Sequence, residues 1–223
     1  DKPSRRSFVS LLSLFPGLAG LGTAVGVSAV AAHEAEAAQA TAAGGSRFDL
    51  SWLDEVKKGQ HKQVFDMADA NPAGQPAPLR LPRNYMDTFR DVMKLEPPAI
   101  QTVVGISGTA FPVNASDRLW EKYALGERSK IIDPATKQPA VRNIFLDEPT
   151  LGVKALQARG TIFWQCDIAL SGIAQQLAAA RGLQAAEVKA DLIAGLNPGV
   201  RIVPSHVMAL GLVQERGATY VKI

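Results

Sequence analysis

The stretch Gly160-Thr-Ile-Phe-Trp-Gln-Cys-Asp-Ile-Ala-Leu-Ser171 decides how the rest of the chain is interpreted. Its β-branched and aromatic run, residues 161–164, is typical of a buried strand. Residues 168–181 then predict a helix, so Cys166, the one cysteine of the chain, lies where a strand meets a helix. In open α/β sheets, ligands bind in the crevice beyond the carboxyl ends of the strands. We therefore expect a site at this junction.

Two interpretations of Cys166 stay open at this point. A thiol at the start of a helix lies near backbone N–H groups and the positive end of the helix dipole, and both favour the thiolate. A free cysteine is also often a small apolar residue of the core. The neighbouring Asp167 would oppose thiolate formation, and no Lys or Arg is adjacent in sequence. His206 and His61 are then the candidate activating groups.

The composition and the motifs of the chain argue against several classes of function. A chain of 223 residues allows one domain or a small pair. The net charge of +3 is too weak to indicate a nucleic-acid partner. One cysteine excludes an intramolecular disulfide and CxxC motifs, and the three histidines are widely separated, so we expect no metal site. The chain has no GKS, GKT or GxGxxG motif, and we expect no bound cofactor.

Residues 1–46 have the layout of an export signal. The adjacent Arg5 and Arg6 precede a moderately apolar run over residues 11–32, and small residues follow to Gly45. This order resembles a twin-arginine signal, which a receptor reads as an address. We expect cleavage, a bacterial periplasmic location and no stable membrane insertion afterwards. The alternative is a retained transmembrane anchor, since the apolar run is about long enough to span.

The remaining chain divides into a helical extension, residues 47–60, and an α/β domain, residues 61–223. The pattern predicts strands at residues 61–67, 100–107, 161–164, 200–203 and 218–223. It predicts helices at residues 81–95, 114–123, 143–158, 168–181 and 206–216, a shorter helix or turn at residues 186–196, and a proline-rich loop over residues 68–82. Strands that alternate with helices of this length indicate a parallel sheet covered on both faces.

A second set of candidates follows the strand at residues 100–107. Ser107, Gly108 and Thr109 open a tight turn, which could bring backbone N–H groups to the same crevice. A plain turn between a strand and a helix explains these residues equally well. The candidate ligand-binding residues of the crevice are Ser107, Gly108, Thr109, Trp164, Asp167 and His206.

Three segments together resemble the DsrE/DsrF-like superfamily of sulfur-relay proteins. They are Gln101-Thr-Val-Val-Gly-Ile-Ser-Gly108, Gly160-Thr-Ile-Phe-Trp-Gln-Cys166 and the tail Gln214-Glu-Arg-Gly-Ala-Thr-Tyr-Val-Lys222. The resemblance implies a flavodoxin-like, three-layer α/β/α fold with a mostly parallel sheet of about five strands, assembled into trimers or hexamers. In the relay members a cysteine after a central strand carries sulfur as a persulfide, and Cys166 falls on that position.

The resemblance also implies a sulfur donor or acceptor protein as partner. This chain departs from the cytoplasmic relay proteins in its export signal and in the extension over residues 49–95. Two alternatives to sulfur carriage therefore stay open. One is a non-enzymatic, oligomeric protein that binds a small ligand in the crevice, and the other is a structural protein with an inert Cys166.

Overall fold

The computed structural model describes residues 48–70 and 78–223. The predicted signal segment lies outside the described residues, as does the middle of the proline-rich loop. Phe48–Ile223 forms one compact unit. Among the residues described, no helix is long and apolar enough to cross a membrane.

The unit contains five strands that alternate with helices. The strands are β1 (His61–Met67), β2 (Ile100–Ile106), β3 (Ile162–Cys166), β4 (Arg201–Val203) and β5 (Thr219–Lys222). The α-helices of the described part are α1 (Leu53–Lys58), α2 (Arg80–Thr88), α3 (Asp117–Tyr123), α4 (Leu125–Arg128), α5 (Val153–Ala158), α6 (Asp167–Arg181), α7 (Ala185–Ala194) and α8 (His206–Glu215). A π-helical turn, Phe89–Met93, extends α2, and a 3-10 helix, Gly108–Asn114, follows β2.

All four strand pairings are parallel, and the strand order is β4-β3-β2-β1-β5. Helices cover both faces of the sheet, so the predicted flavodoxin-like, three-layer α/β/α fold is confirmed, although flavodoxin itself orders its strands differently. One face, called here the α8 face, packs on α1 and α8. The opposite face, called the α6 face, packs on helices α2 to α7 and holds the larger core.

Side chains of β3 alternate between the two cores, as expected for a strand buried on both sides. Phe163 belongs to the core of the α6 face, whereas Ile162 and Trp164 belong to that of the α8 face. Trp52 of the segment before α1 packs against Trp164, with ring centroids 5.6 Å apart. The predicted helical extension therefore contributes buried side chains to the core of the α8 face.

The chain changes faces at the boundary between β3 and β4. The segments after β1, β2 and β3 pack on the α6 face, whereas β4 leads into α8 on the other face. Such a switch point opens a crevice at the carboxyl ends of the two strands. Cys166 pairs with Val203 at this end of the sheet, so the thiol lies at the switch point.

The predicted helix over residues 143–158 is wrong in its first ten residues, since α5 begins only at Val153. The Asn143 carboxamide donates to the carbonyl oxygens of Pro112, Val113 and Ala115, at 3.3, 3.1 and 2.7 Å. The Glu148 carboxylate accepts backbone N–H groups of Thr150 and Leu151. These side-chain bonds give the backbone partners outside a helix, which is how Asn and acidic side chains favour turns.

Candidate functional site

Cys166 ends β3 and is the N-cap residue of α6. Its backbone is extended, with φ of −73° and ψ of 123°, and the helix begins at the next residue. The Sγ atom accepts a hydrogen bond from the Ala169 N–H at 3.4 Å. A cap residue normally satisfies one of the unpaired N–H groups of the first helical turn, and here sulfur does so.

A second helix directs an N–H group at the same sulfur. The His206 backbone N–H lies 3.3 Å from Cys166 Sγ, and His206 is the first residue of α8. The sulfur thus receives one donor from α6 and one from α8. Both helix ends carry partial positive charge, so the arrangement stabilises negative charge on sulfur.

The thiol is buried, but one side chain in the first turn of each adjoining helix is exposed. Cys166 is 5% exposed. Ile168 in the first turn of α6 is 58% exposed, and Val207 in the first turn of α8 is 76% exposed. The two helix ends that donate to the sulfur therefore also present apolar side chains to solvent.

The His206 imidazole is occupied by other partners. Trp164 Nε1 donates to His206 Nδ1 at 3.1 Å, so Nδ1 acts as acceptor and the ring proton is on Nε2. That nitrogen lies 2.8 Å from Asp66 Oδ1. Both ring nitrogens therefore have hydrogen-bond partners. His206 contacts the Cys166 sulfur through its backbone N–H.

Tyr220 completes this group on the α8 face. Its hydroxyl donates to Asp66 Oδ2 at 2.6 Å. This hydrogen bond raises the pKa of Tyr220 above its usual value, because it favours the protonated phenol beside a carboxylate. Trp164, His206, Asp66 and Tyr220 form a chain of hydrogen bonds across β3, β1 and β5, called here the α8-face network.

The Asp167 carboxylate, next to Cys166 in the sequence, forms an ion pair with Lys189. It is buried, and the Lys189 ammonium of α7 lies 3.0 Å from Oδ1 and 3.1 Å from Oδ2. The opposite charge at this distance offsets the repulsion that Asp167 would exert on a thiolate. The sequence alone cannot reveal this pairing, because 22 residues separate the two side chains.

The other predicted crevice residues lie in a different place. Gly108 and Thr109, at the start of the 3-10 helix, line a cleft on the α6 face, where Asp69, Arg128 and Lys130 also lie. The Thr109 hydroxyl donates to the Ala68 carbonyl oxygen at 3.0 Å. Ser107 precedes this helix with an extended backbone.

The single crevice expected from the sequence is therefore two sites. Cys166 and Trp164 each contact His206 on the α8 face, and Gly108 and Thr109 line the cleft on the other. His61 is in neither site. It begins β1 at the amino edge of the sheet, and its ring lies 4.5 Å from the ring of Phe89.

Several residues of both sites were not among the candidates that the sequence predicted. Asp66 and Tyr220 belong to the α8-face network, and Arg128 lines the cleft. A signal for Asp66 was present, since it is a carboxylate one residue before the end of a strand that the pattern predicted. Tyr220 lay in the tail segment that carries the family resemblance but was not assigned to a site, and Arg128 carried no signal.

Comparisons with known proteins leave the family undetermined. No family model matches the chain, and no curated protein matches it. Among solved structures, the chain is similar to the protein of unknown function MTH1491 from Methanobacterium thermoautotrophicum, with 16% sequence identity and a TM-score of 0.40. The similarity covers 73% of this chain and 99% of that one. Within residues 48–70 and 78–223, no group of three or more His, Cys, Asp or Glu side chains could hold a metal ion.

Proposed function

We propose that this chain is an exported sulfur carrier of the DsrE/DsrF-like kind, in which Cys166 holds the transferred sulfur as a persulfide. The observation that carries the proposal is the pair of backbone N–H groups, from Ala169 and His206, at Cys166 Sγ. Two donors from two helix ends suit a sulfur that becomes anionic during its chemistry.

The chemistry is two successive attacks on sulfur. The Cys166 thiolate attacks the sulfane sulfur of a donor such as thiosulfate, a new S–S bond forms, and sulfite leaves with the electron pair of the broken S–S bond. The thiolate of an acceptor then attacks the outer sulfur of the persulfide. Cys166 leaves as thiolate, so the cycle needs no oxidant or reductant. The leaving thiolate is again stabilised by the two N–H groups.

The acceptor must reach a buried sulfur. Ile168 and Val207, exposed in the first turns of the two helices that donate to the sulfur, would offer apolar contacts to a protein that brings its thiol there. The expected assembly into trimers or hexamers and the periplasmic location belong to this proposal and stay predictions.

The first test measures sulfur loading. The folded chain and Cys166→Ser are incubated with thiosulfate, and their intact masses are compared. We expect a gain of one sulfur atom in the wild-type protein, its loss on reduction, and no gain in Cys166→Ser. A thiol that takes no sulfur and resists alkylating reagents until the protein is unfolded would leave Cys166 as a packing residue, and the proposal would fail.

A second test separates the His206 backbone N–H from the imidazole. His206→Ala removes the imidazole alone, whereas His206→Pro removes the imidazole and the N–H together. Proline is tolerated at the first position of a helix, and Ser205 before it has the extended backbone that a following proline requires.

We expect the rate of persulfide formation at neutral pH to be roughly tenfold lower in His206→Pro than in His206→Ala, since a hydrogen bond to a charged group contributes about 1.5–3 kcal/mol. Circular dichroism spectra of both variants check that α8 is retained. Equal rates in two folded variants would show that the N–H does not support the reaction.

A further inference from the structure

The cleft on the α6 face has the size and lining of a small-molecule site. It encloses about 450 Å³ between the 3-10 helix, the segment Leu125 to Lys130, and α6. This volume falls within the usual range of ligand pockets. Its apolar lining includes Phe111, Leu125, Ile173 and Leu177, and its polar lining includes Asp69, Thr109, Arg128, Lys130 and Gln176.

Gly172 borders the cleft without filling it. It lies inside α6, where glycine costs roughly 1 kcal/mol relative to alanine. Close packing does not require it, because a Cβ at this position would meet no atom within 4 Å. Gly172 nevertheless lines the cleft. A side chain there would project into the open space, so the glycine keeps the cleft wide at a cost in helix stability.

The charges at the cleft favour an anion. Arg128 and Lys130 supply two cationic side chains, and Asp69 supplies one carboxylate, whose Oδ1 lies 3.4 Å from the Thr109 hydroxyl. The Arg128 guanidinium has no hydrogen bond or ion pair with any residue in the described ranges, and neither does the Gln176 carboxamide. A guanidinium presents several donors in a planar fork that matches a carboxylate or sulfonate.

We propose that this cleft binds a small organic anion with an aromatic or aliphatic body. The body lies against Phe111, Ile173 and Leu177, and the anionic group pairs with Arg128. The site is separate from the sulfur chemistry. Cys166 does not line the cleft, although Ala169, whose N–H donates to the sulfur, does. The proposal does not rest on persulfide formation.

The experiment titrates the full chain with 8-anilinonaphthalene-1-sulfonate, an aromatic sulfonate that fluoresces when it enters an apolar site. Gly172→Leu fills the cleft. Gly211→Leu is the matched control, because Gly211 also lies inside a helix where an added Cβ meets no atom within 4 Å, but in α8. We expect at least tenfold weaker binding in Gly172→Leu and unchanged binding in Gly211→Leu.

Arg128 tests the anionic part of the proposal. We expect Arg128→Gln to weaken binding roughly tenfold, as for a lost charge-assisted hydrogen bond, and Arg128→Lys to recover part of it. Octanoate should displace the dye from the wild-type protein. No binding by the wild-type protein, or an equal loss in both glycine variants, would overturn the proposal. Binding by Cys166→Ser as tight as wild type would separate this site from the sulfur chemistry.

Discussion

At the carboxyl edge of the sheet, the polar side chains on the two faces differ in whether they have hydrogen-bond partners. On the α8 face, Trp164, His206, Asp66 and Tyr220 bond to one another, and the His206 backbone N–H donates to the buried thiol. On the α6 face, Arg128 and Gln176 border a cleft of about 450 Å³. A closed, hydrogen-bonded site suits one small atom held on a side chain, whereas an open cleft suits a ligand that enters and leaves.

The glycines beside the two sites also differ, since one is closely packed and the other faces open space. Gly105 of β2 lies under the indole ring of Trp164, and a Cβ there would overlap that ring. Gly172 faces open space instead. One substitution, glycine to alanine, therefore tests both faces, and the expected effects on stability have opposite signs.

Among these substitutions, the largest change in the free energy of unfolding is expected from Gly105→Ala. Trp164 is fully buried, and its Nε1 donates to His206, so the ring cannot yield without breaking the α8-face network. Overpacking of this kind costs roughly 1–3 kcal/mol. Urea unfolding should show a free energy of unfolding lower by about that amount. An unchanged unfolding midpoint would mean that the α8 face is looser than the distances indicate.

A smaller loss in the free energy of unfolding is expected from Asp191→Asn on the α6 face. Asp191 accepts the Tyr123 hydroxyl at 2.7 Å, much as Asp66 accepts that of Tyr220, but its other partners are the cations Arg118 and Lys122. Burial acts to raise the pKa of Asp191, but the hydrogen bonds from Tyr123, Lys122 and Arg118 outweigh it and lower the pKa to about 2.

The sign of the pH dependence follows from this lowered pKa. The carboxylate contributes stability above its unfolded pKa of about 4, and the contribution is lost as the pH falls towards 2. Asp191→Asn should lower the free energy of unfolding by about 1–2 kcal/mol at pH 7. The difference from wild type should shrink near pH 2. A difference that does not vary with pH would contradict the role of the charge.

The smallest effect is expected from Gly172→Ala, and it is stabilising. An added methyl group meets no neighbour, and alanine leaves the unfolded chain with less conformational freedom to lose when α6 forms. The gain should be roughly 0.5–1 kcal/mol in urea unfolding. A loss of stability would show that the cleft is narrower in solution and would weaken the contrast between the two faces.

Much of the fold could be predicted from local pattern. The limits of β1, His61–Met67, are those that the alternating residues predict, and β3 leads into α6 at Cys166 as expected. Residues 143–152 could not be predicted, because Asn143 resembles any polar residue at the start of a helix. Its actual partners are the carbonyl oxygens of a segment about 30 residues earlier.

The candidate sites could be predicted only in part. The pattern identified Cys166 and His206, but it assigned Thr109 and Trp164 to one crevice. Successive side chains of a strand point to opposite faces, and which face carries which helix depends on the whole topology. The cleft depends on the distance between α4 and α6, which packing sets and no motif records.

The sequence by itself determined that the one thiol lies where a strand meets a helix, because strand and helix preferences act over adjacent residues. Only the tertiary structure decided that a second helix donates to the same sulfur. The parallel pairing of β3 with β4 places Cys166 opposite Val203, and His206 begins α8 three residues later. Strand register results from burial of whole strand faces, so contacts between residues 40 positions apart exist only once the sheet is assembled.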